Sequence, residues 1–202
     1  MPRVEPLPRE SLSEFEPLFA MLEKSAGFVP NSLLIMGRWP ELLQAFHGLA
    51  GAIMAGSSLP AELRQLVAFV SSNAAGCRYC QAHTSHGAAK LGISQVKIAS
   101  AFEFETSELF SEAERAALRL ARDASIVPSA VEDTHFERLR EHWSDREIVE
   151  LVAQICLFGW LNRWNDTLAT PLEASPLAFG KTHLAPHGWS AGTHADGLTQ
   201  KA

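Results

Sequence analysis

Apolar residues recur every three to four positions along most of this chain, the period of an α-helix. No alternating run of β-branched residues bounded by turns interrupts that period. Start and stop residues divide it. Ser11-x-x-Glu14 reads as a capping box opening a first helix to about Ser25, with Gly27 closing it. A short helix follows from Asn31 to Arg38, and Pro40 suits the first turn of the next, which Gly56 ends. Ser58 is expected to cap a fourth helix carrying Leu63, Leu66, Val67 and Val70 on one face, stopped by Gly76. A fifth begins at Cys77 and runs to Leu91, before Gly92. Ser94 starts a short one. Ser111-x-x-Glu114 and Ser144-x-x-Glu147 are further capping boxes, the second opening the longest helix, to about Ala169. A helix over Glu132 to His142 lies between them.

The pattern predicts an all-α fold, with residues 1–172 as a single domain. From residue 173 to 202 the chain is rich in Gly, Pro and His without a period, and reads as a tail, loose or laid over a neighbouring subunit.

Composition narrows the function classes. The 202 residues are 47% hydrophobic, and no stretch approaches the ~20 apolar residues of a membrane span. A net charge of −6 without a Lys/Arg cluster argues against a nucleic-acid surface. The opening residues, MPRVEPLPRE, lack the apolar core of a signal peptide, so a cytoplasmic location is expected. In a reducing compartment a Cys-x-x-Cys pair means redox or metal chemistry rather than a structural staple.

That pair is Cys77-Arg78-Tyr79-Cys80, followed by His83 and His86. Two residues three apart on a helix have Cβ atoms ~5–6 Å apart. A disulfide needs ~3.5–4.5 Å, so a small adjustment of the first turn lets them bond. At a helix start, free N–H groups and the dipole favour a thiolate, and Arg78 adds positive charge. Zinc is the rival chemistry. Cys77, Cys80, His83 and His86 span ~13.5 Å of helix, too far for one ion, and no second ligand pair completes a site. A bland pair of buried cysteines is the third reading. His83, one turn beyond Cys80, is a candidate proton carrier or a packed histidine. Cys156, alone in the apolar run from Val152 to Leu161, reads as a small core residue. Trp160 and Trp164 read as packing, Asn162 and Asp166 as a polar line on another face, and His183, His187 and His194 as tail residues.

Two segments carry a resemblance to a known family. One is Gly27-Phe28-Val29-Pro30-Asn31 with Trp39-Pro40-Glu41-Leu42-Leu43. The other runs from Leu59-Pro60 through Arg64-Gln65-Leu66-Val67 to the Cys-x-x-Cys pair, and Leu161-Asn162-Arg163 is also similar. The chain resembles the AhpD-like alkylhydroperoxidases of the carboxymuconolactone decarboxylase superfamily, in their peroxidase-related branch. The resemblance implies an AhpD-like helical bundle with the Cys-x-x-Cys pair at the start of a central helix, assembled as a homo-oligomer. It implies thiol-dependent reduction of hydroperoxides, with Cys80 peroxidatic, Cys77 resolving and an external dithiol, of the lipoyl or thioredoxin kind, as reductant. No cofactor or metal is implied. The sequence departs from the pattern at the relay position twelve before the first cysteine, where Gln65 replaces the family glutamate, with Glu62 one turn earlier. The motif histidine position is Thr84, with His83 beside it. His83 is the expected base, with Gln65 or Glu62 as its relay.

Two other functions stay open. A carboxymuconolactone-decarboxylase-like enzyme without redox chemistry would use His83, Glu62 and Arg64 on a small organic acid or lactone. A non-enzymatic oligomer could use the dithiol as a redox sensor.

Overall fold

The computed structural model describes residues 1–197. Every regular element among them is helical. After a 3₁₀ segment over Arg9–Phe15 come α1 (Glu16–Ala26), α2 (Asn31–Met36), α3 (Pro40–Ala55), α4 (Ala61–Ala74) and α5 (Arg78–Lys90). Then follow α6 (Gln95–Ser100), α7 (Glu112–Ser125), α8 (Asp133–Arg140), α9 (Asp145–Leu168) and α10 (Ala174–Phe179). No helix among the described residues is long and apolar enough to cross a membrane.

The stop signals act as expected where the backbone turns left-handed, at Gly27, Gly76 and Gly92. Two of the expected serine–glutamate capping boxes form: Ser111 with Glu114, and Ser144 with Glu147. The expected box at Ser11 does not. Ser11 donates instead to the Pro8 carbonyl at 2.7 Å, and α1 opens at Glu16. Pro17 decides this, because a helix opening at Ser11 would place a residue without an N–H well inside it. Ser58 likewise leaves the capping of α4. Its N–H and hydroxyl, with the Ser57 hydroxyl, donate to Glu150 on α9 at 2.8–3.0 Å, and Pro60 is the cap residue of α4.

Helix α4 is the centre of the fold. Leu63, Leu66, Val67 and Val70 are buried as their spacing predicts, and so are Ala68, Phe69, Ser71 and Ser72 on the remaining faces. A helix buried on every face from residue 66 to 72 must be enclosed there by others. Here α5, α7 and α9 enclose it. The core adds Leu118 and Leu120 of α7 with Leu151 and Ile155 of α9. At ~1.5–3 kcal/mol for each buried large aliphatic side chain, this cluster dominates the stability of the framework that carries α5. A second cluster, Leu12, Phe19, Met36 and Leu43, seats the first three helices, with Trp164 of α9 packed against it.

The segment after Pro171 differs from the expected loose or partner-draped tail. It forms α10, a π turn over Gly180–Leu184 and 3₁₀ turns over Ala185–His187 and Gly192–Gly197. Leu177, Leu184 and Trp189 are buried against the chain's own core. The indole of Trp189 donates to the Arg78 carbonyl at 3.1 Å and lies so close over Gly180 that a Cβ there would fall 2.6 Å from the ring. The spacing of these anchors follows neither helix nor strand period, which is why the pattern did not reveal them. The short segment beyond residue 197 lies outside the described residues.

Candidate active site

Gly76 adopts φ +79° and swings the chain from α4 into α5, leaving Cys77 as the residue that caps α5. The Cys80 N–H donates to Cys77 Sγ at 3.4 Å, as a capping side chain receives it. The Cys-x-x-Cys pair therefore sits together in the first turn of the helix, as its spacing predicts. The thiols do not share an environment. Cys77 is fully buried, and that burial, with Cys80 and the charge of Asp166 beside it, pushes its thiol well up. At this helix start desolvation outweighs the dipole that would favour a thiolate. Cys80 is also buried, but its Sγ receives a hydrogen bond from Asn165 Nδ2 at 3.4 Å.

His83 lies one turn beyond Cys80, where its Nε2 meets Glu173 Oε2 at 2.5 Å. Its ring stacks on Tyr79 at 4.2 Å and meets Phe28 edge-on at 5.3 Å. Glu173 is the residue that sequence reasoning missed. Its other oxygen accepts from the Asn31 N–H at 2.6 Å and from the Tyr79 hydroxyl at 2.9 Å. Asn31 also donates through Nδ2 to the Pro171 carbonyl at 3.0 Å, so the Gly27–Asn31 turn is a clamp on the segment that presents Glu173. Burial alone would push the Glu173 carboxyl up. The charge and hydrogen bond of His83 and the Asn31 N–H outweigh it, and the group is held below the usual range. Tyr79, raised by burial and by Glu173, keeps its proton and donates.

Neither relay candidate reaches this histidine. Glu62 is exposed on α4. Gln65 lies against Gly87, one turn further along α5, with its Oε1 buried and without a partner. Thr84 bonds back to the Cys80 carbonyl at 2.7 Å and has no free role. His86 packs between Phe28 and Phe179; burial, with Lys90 and His83 nearby, lowers its basicity. The four motif side chains do not converge on one point. Among the described residues no group of three or more His, Cys, Asp or Glu is placed to hold a metal ion. His194 of the C-terminal segment is buried and meets the Thr170 carbonyl at 2.7 Å and Asp166 Oδ1 at 3.1 Å.

Asn165 was legible in principle. Asn162, Asn165 and Asp166 share one face of α9 at i, i+3 and i+4, an unusual polar row in an apolar helix. Cys156 corrects a second expectation, for it is exposed rather than a core residue. Its face of α9 borders a cavity of about 920 Å³ instead of another helix. Trp160 and Trp164 stack on each other at 5.0 Å, with Phe46 on the outer ring.

Comparison with known proteins agrees with this architecture. The debrominase Bmp8, solved as a cysteine-to-alanine variant in complex with 2,3,4-tribromopyrrole, is 40% identical, with a TM-score of 0.84 over 89% of this chain and 96% of that one. An uncharacterized peroxidase-related protein from Silicibacter sp. TM1040 shares the fold at a TM-score of 0.73, with 24% identity over 86% and 90% of the two chains. Uncharacterized protein YdfG of Bacillus subtilis (strain 168) is 32% identical over 111 residues, 54% of this chain and 73% of its own length. The carboxymuconolactone decarboxylase family pattern matches residues 40–123, from α3 through the dithiol helix to α7. The chain belongs to the carboxymuconolactone decarboxylase family, on the AhpD-like helical fold.

Proposed function

We propose that this protein is a dithiol-dependent reductase that removes halogen from a small halogenated aromatic ring. The observation that carries the reading is the dithiol itself: Cys77 and Cys80 share the first turn of α5, the Cys80 N–H donating to Cys77 Sγ and Asn165 to Cys80 Sγ. Such a pair supplies two electrons when it closes to a disulfide. The identity to a debrominase over nearly the whole chain supports halogen as the leaving group. A proton first reaches the halogen-bearing carbon. The Cys80 thiolate then attacks bromine, an S–Br bond forms, and the C–Br electron pair returns to the ring as it regains aromaticity. Cys77 loses its proton and displaces bromide from Cys80 Sγ. The sum is one aryl bromide and two thiols converted to arene, disulfide, bromide and a proton. An external cytoplasmic dithiol protein, of the lipoyl or thioredoxin kind, resets the pair by exchange. His83, steadied by Glu173 rather than by Gln65 or Glu62, handles the proton.

Hydroperoxide reduction is the second reading, favoured by the same His83–Glu173 pair beside a resolving thiol. There Cys80 attacks the O–O bond, forming sulfenic acid and releasing an alcohol, and Cys77 closes the disulfide with loss of water. A non-redox lactone enzyme finds less support, because Glu62 stands in solvent and Arg64 donates to the Met54 carbonyl at the end of α3. Exposed Trp39, Leu49, Met54 and Val149 support a homo-oligomer, which light scattering at the mass of one chain would refute.

The deciding experiment feeds wild type and Cys80→Ser with 2,3,4-tribromopyrrole or cumene hydroperoxide, with dithiothreitol as reductant. The reading expects one bromide released per dithiol oxidised, and none from Cys80→Ser. Wild type that consumes hydroperoxide and releases no bromide overturns it in favour of the second reading.

A further inference from the structure

The outer side of the dithiol turn borders the cavity that exposes Cys156. Its walls are the end of α4 at Ala74 and Ala75, the stretch after α7 at Ile126 and Val127, and the 152–167 side of α9. Its volume falls in the ~300–1,000 Å³ range of small-molecule pockets. Ala75 and Gly76, the turn leading into Cys77, are exposed beside it. Most of the wall is apolar and suits a ring. The polar side chains are Ser125 and Ser129, at and beyond the end of α7, and Asn162, Arg163, Asp166 and Thr167 on α9.

Asn162 is the residue that points to a ligand. The residue is 2% exposed, yet neither Oδ1 nor Nδ2 has a hydrogen-bond partner. Native proteins seldom leave a buried amide unpaired at both atoms. One turn on, Asn165 donates to Cys80 Sγ, and Asp166, also lining the cavity, stands beside Cys77. One row of α9 thus touches both the cavity and the dithiol. Arg163 is exposed at the same cavity wall, and among the described residues no carboxylate forms an ion pair with it.

We propose that this cavity is the acceptor pocket and that Asn162 selects aromatic rings bearing an N–H or O–H group, its Oδ1 accepting from that donor. Arg163 pairs with the ring when it ionises. Halogens make such N–H and O–H groups acidic, so one pair of side chains serves both forms of the same ligand class. The proposal rests on the dehalogenase reading and adds which ring substituent is recognised.

Binding without turnover tests it. In a Cys80→Ser background the probe is 2,4-dibromophenol, with 2,4-dibromoanisole, its O-methyl ether, as control, followed by calorimetry. The phenol should bind, Asn162→Leu should weaken it tenfold or more, and Arg163→Gln should weaken it several-fold more at pH 9 than at pH 6. The anisole should bind weakly and equally to all. Because Asn162→Leu could disturb α9, a second arm leaves Asn162 in place: a bulky maleimide on Cys156 should block the phenol, and Cys156→Ser should be immune to the reagent. Undiminished phenol binding after Cys156 labelling, or in folded Asn162→Leu, overturns the proposal. The two readings separate cleanly. Bromide release by wild type with an unchanged KM in Asn162→Leu leaves the dehalogenase and removes the pocket. Asn162-dependent binding without any bromide release leaves the pocket and removes the dehalogenase.

Discussion

Replacing Glu173 with glutamine tests whether the carboxylate holds the site together. The side chain is 9% exposed and has three partners: the Asn31 N–H at 2.6 Å, the Tyr79 hydroxyl at 2.9 Å and His83 at 2.5 Å. Glutamine keeps one oxygen for the first two and turns an NH₂ group toward His83. The charge-assisted part of each bond is lost. Hydrogen bonds to charged groups contribute ~1.5–3 kcal/mol each and neutral ones ~0.5–1.5, so Glu173→Gln should cost about 2–4 kcal/mol. For a chain of this size each kcal/mol moves Tm by ~2–4 °C, giving a drop of roughly 4–16 °C at pH 7. The pH dependence has a definite sign. Glu173 is held below its ordinary value of 4.5, so in that window the unfolded chain binds more protons than the native one. The stabilisation is complete above the unfolded value and is lost as pH falls through the folded one. Calorimetric scans of both proteins from pH 7 to pH 3 should therefore show the gap closing in acid. Equal Tm values at pH 7, or a gap that stays constant to pH 3, would refute the assigned role.

Three further outcomes follow from the geometry. Asn165→Leu removes the donor to Cys80 Sγ, and alkylation of Cys80 by iodoacetamide at pH 7 should slow several-fold to tenfold, read by mass mapping; an unchanged rate counts against Asn165. Gln65→Glu should not accelerate turnover, since Gln65 faces Gly87 and not His83; a several-fold gain would restore the relay expected from the sequence. Gly180→Ala would drive a methyl into the Trp189 ring, and ~1–3 kcal/mol of destabilisation in urea titrations is expected; a neutral result would mean that the C-terminal segment yields freely.

The helical framework was legible because each element carries its own period and punctuation. Leu63, Leu66, Val67 and Val70 announce α4, and the serine–glutamate boxes announce α7 and α9. Local signals failed where a distant partner competed for the same side chain. Ser58 could cap α4, but Glu150 of α9 takes it, and that carboxyl is held at about 2 because its bonds to Ser58, Ser57 and Arg146 outweigh the effect of burial. The dithiol was legible from its spacing alone. The partner of His83 was not, because Glu173 belongs to a segment without period and meets α5 only through tertiary contact. Cys77 shows the same limit, since the helix dipole is visible in a sequence and desolvation is not.

Glu173 links residues that are far apart along the chain. It bonds Asn31, 142 positions earlier, and Tyr79, 94 positions earlier. Such loops close late, because chain entropy must be overcome before the contact rewards it. During synthesis the helix bearing Cys77 and Cys80 emerges, and can coil, while Glu173, Trp189 and His194 are still to be made. A nascent chain therefore presents its two thiols to solvent without the histidine's carboxylate and without the C-terminal cover. For that interval they are unprotected sulfhydryls, open to any passing oxidant, and become a governed pair only when the two ends of the chain meet.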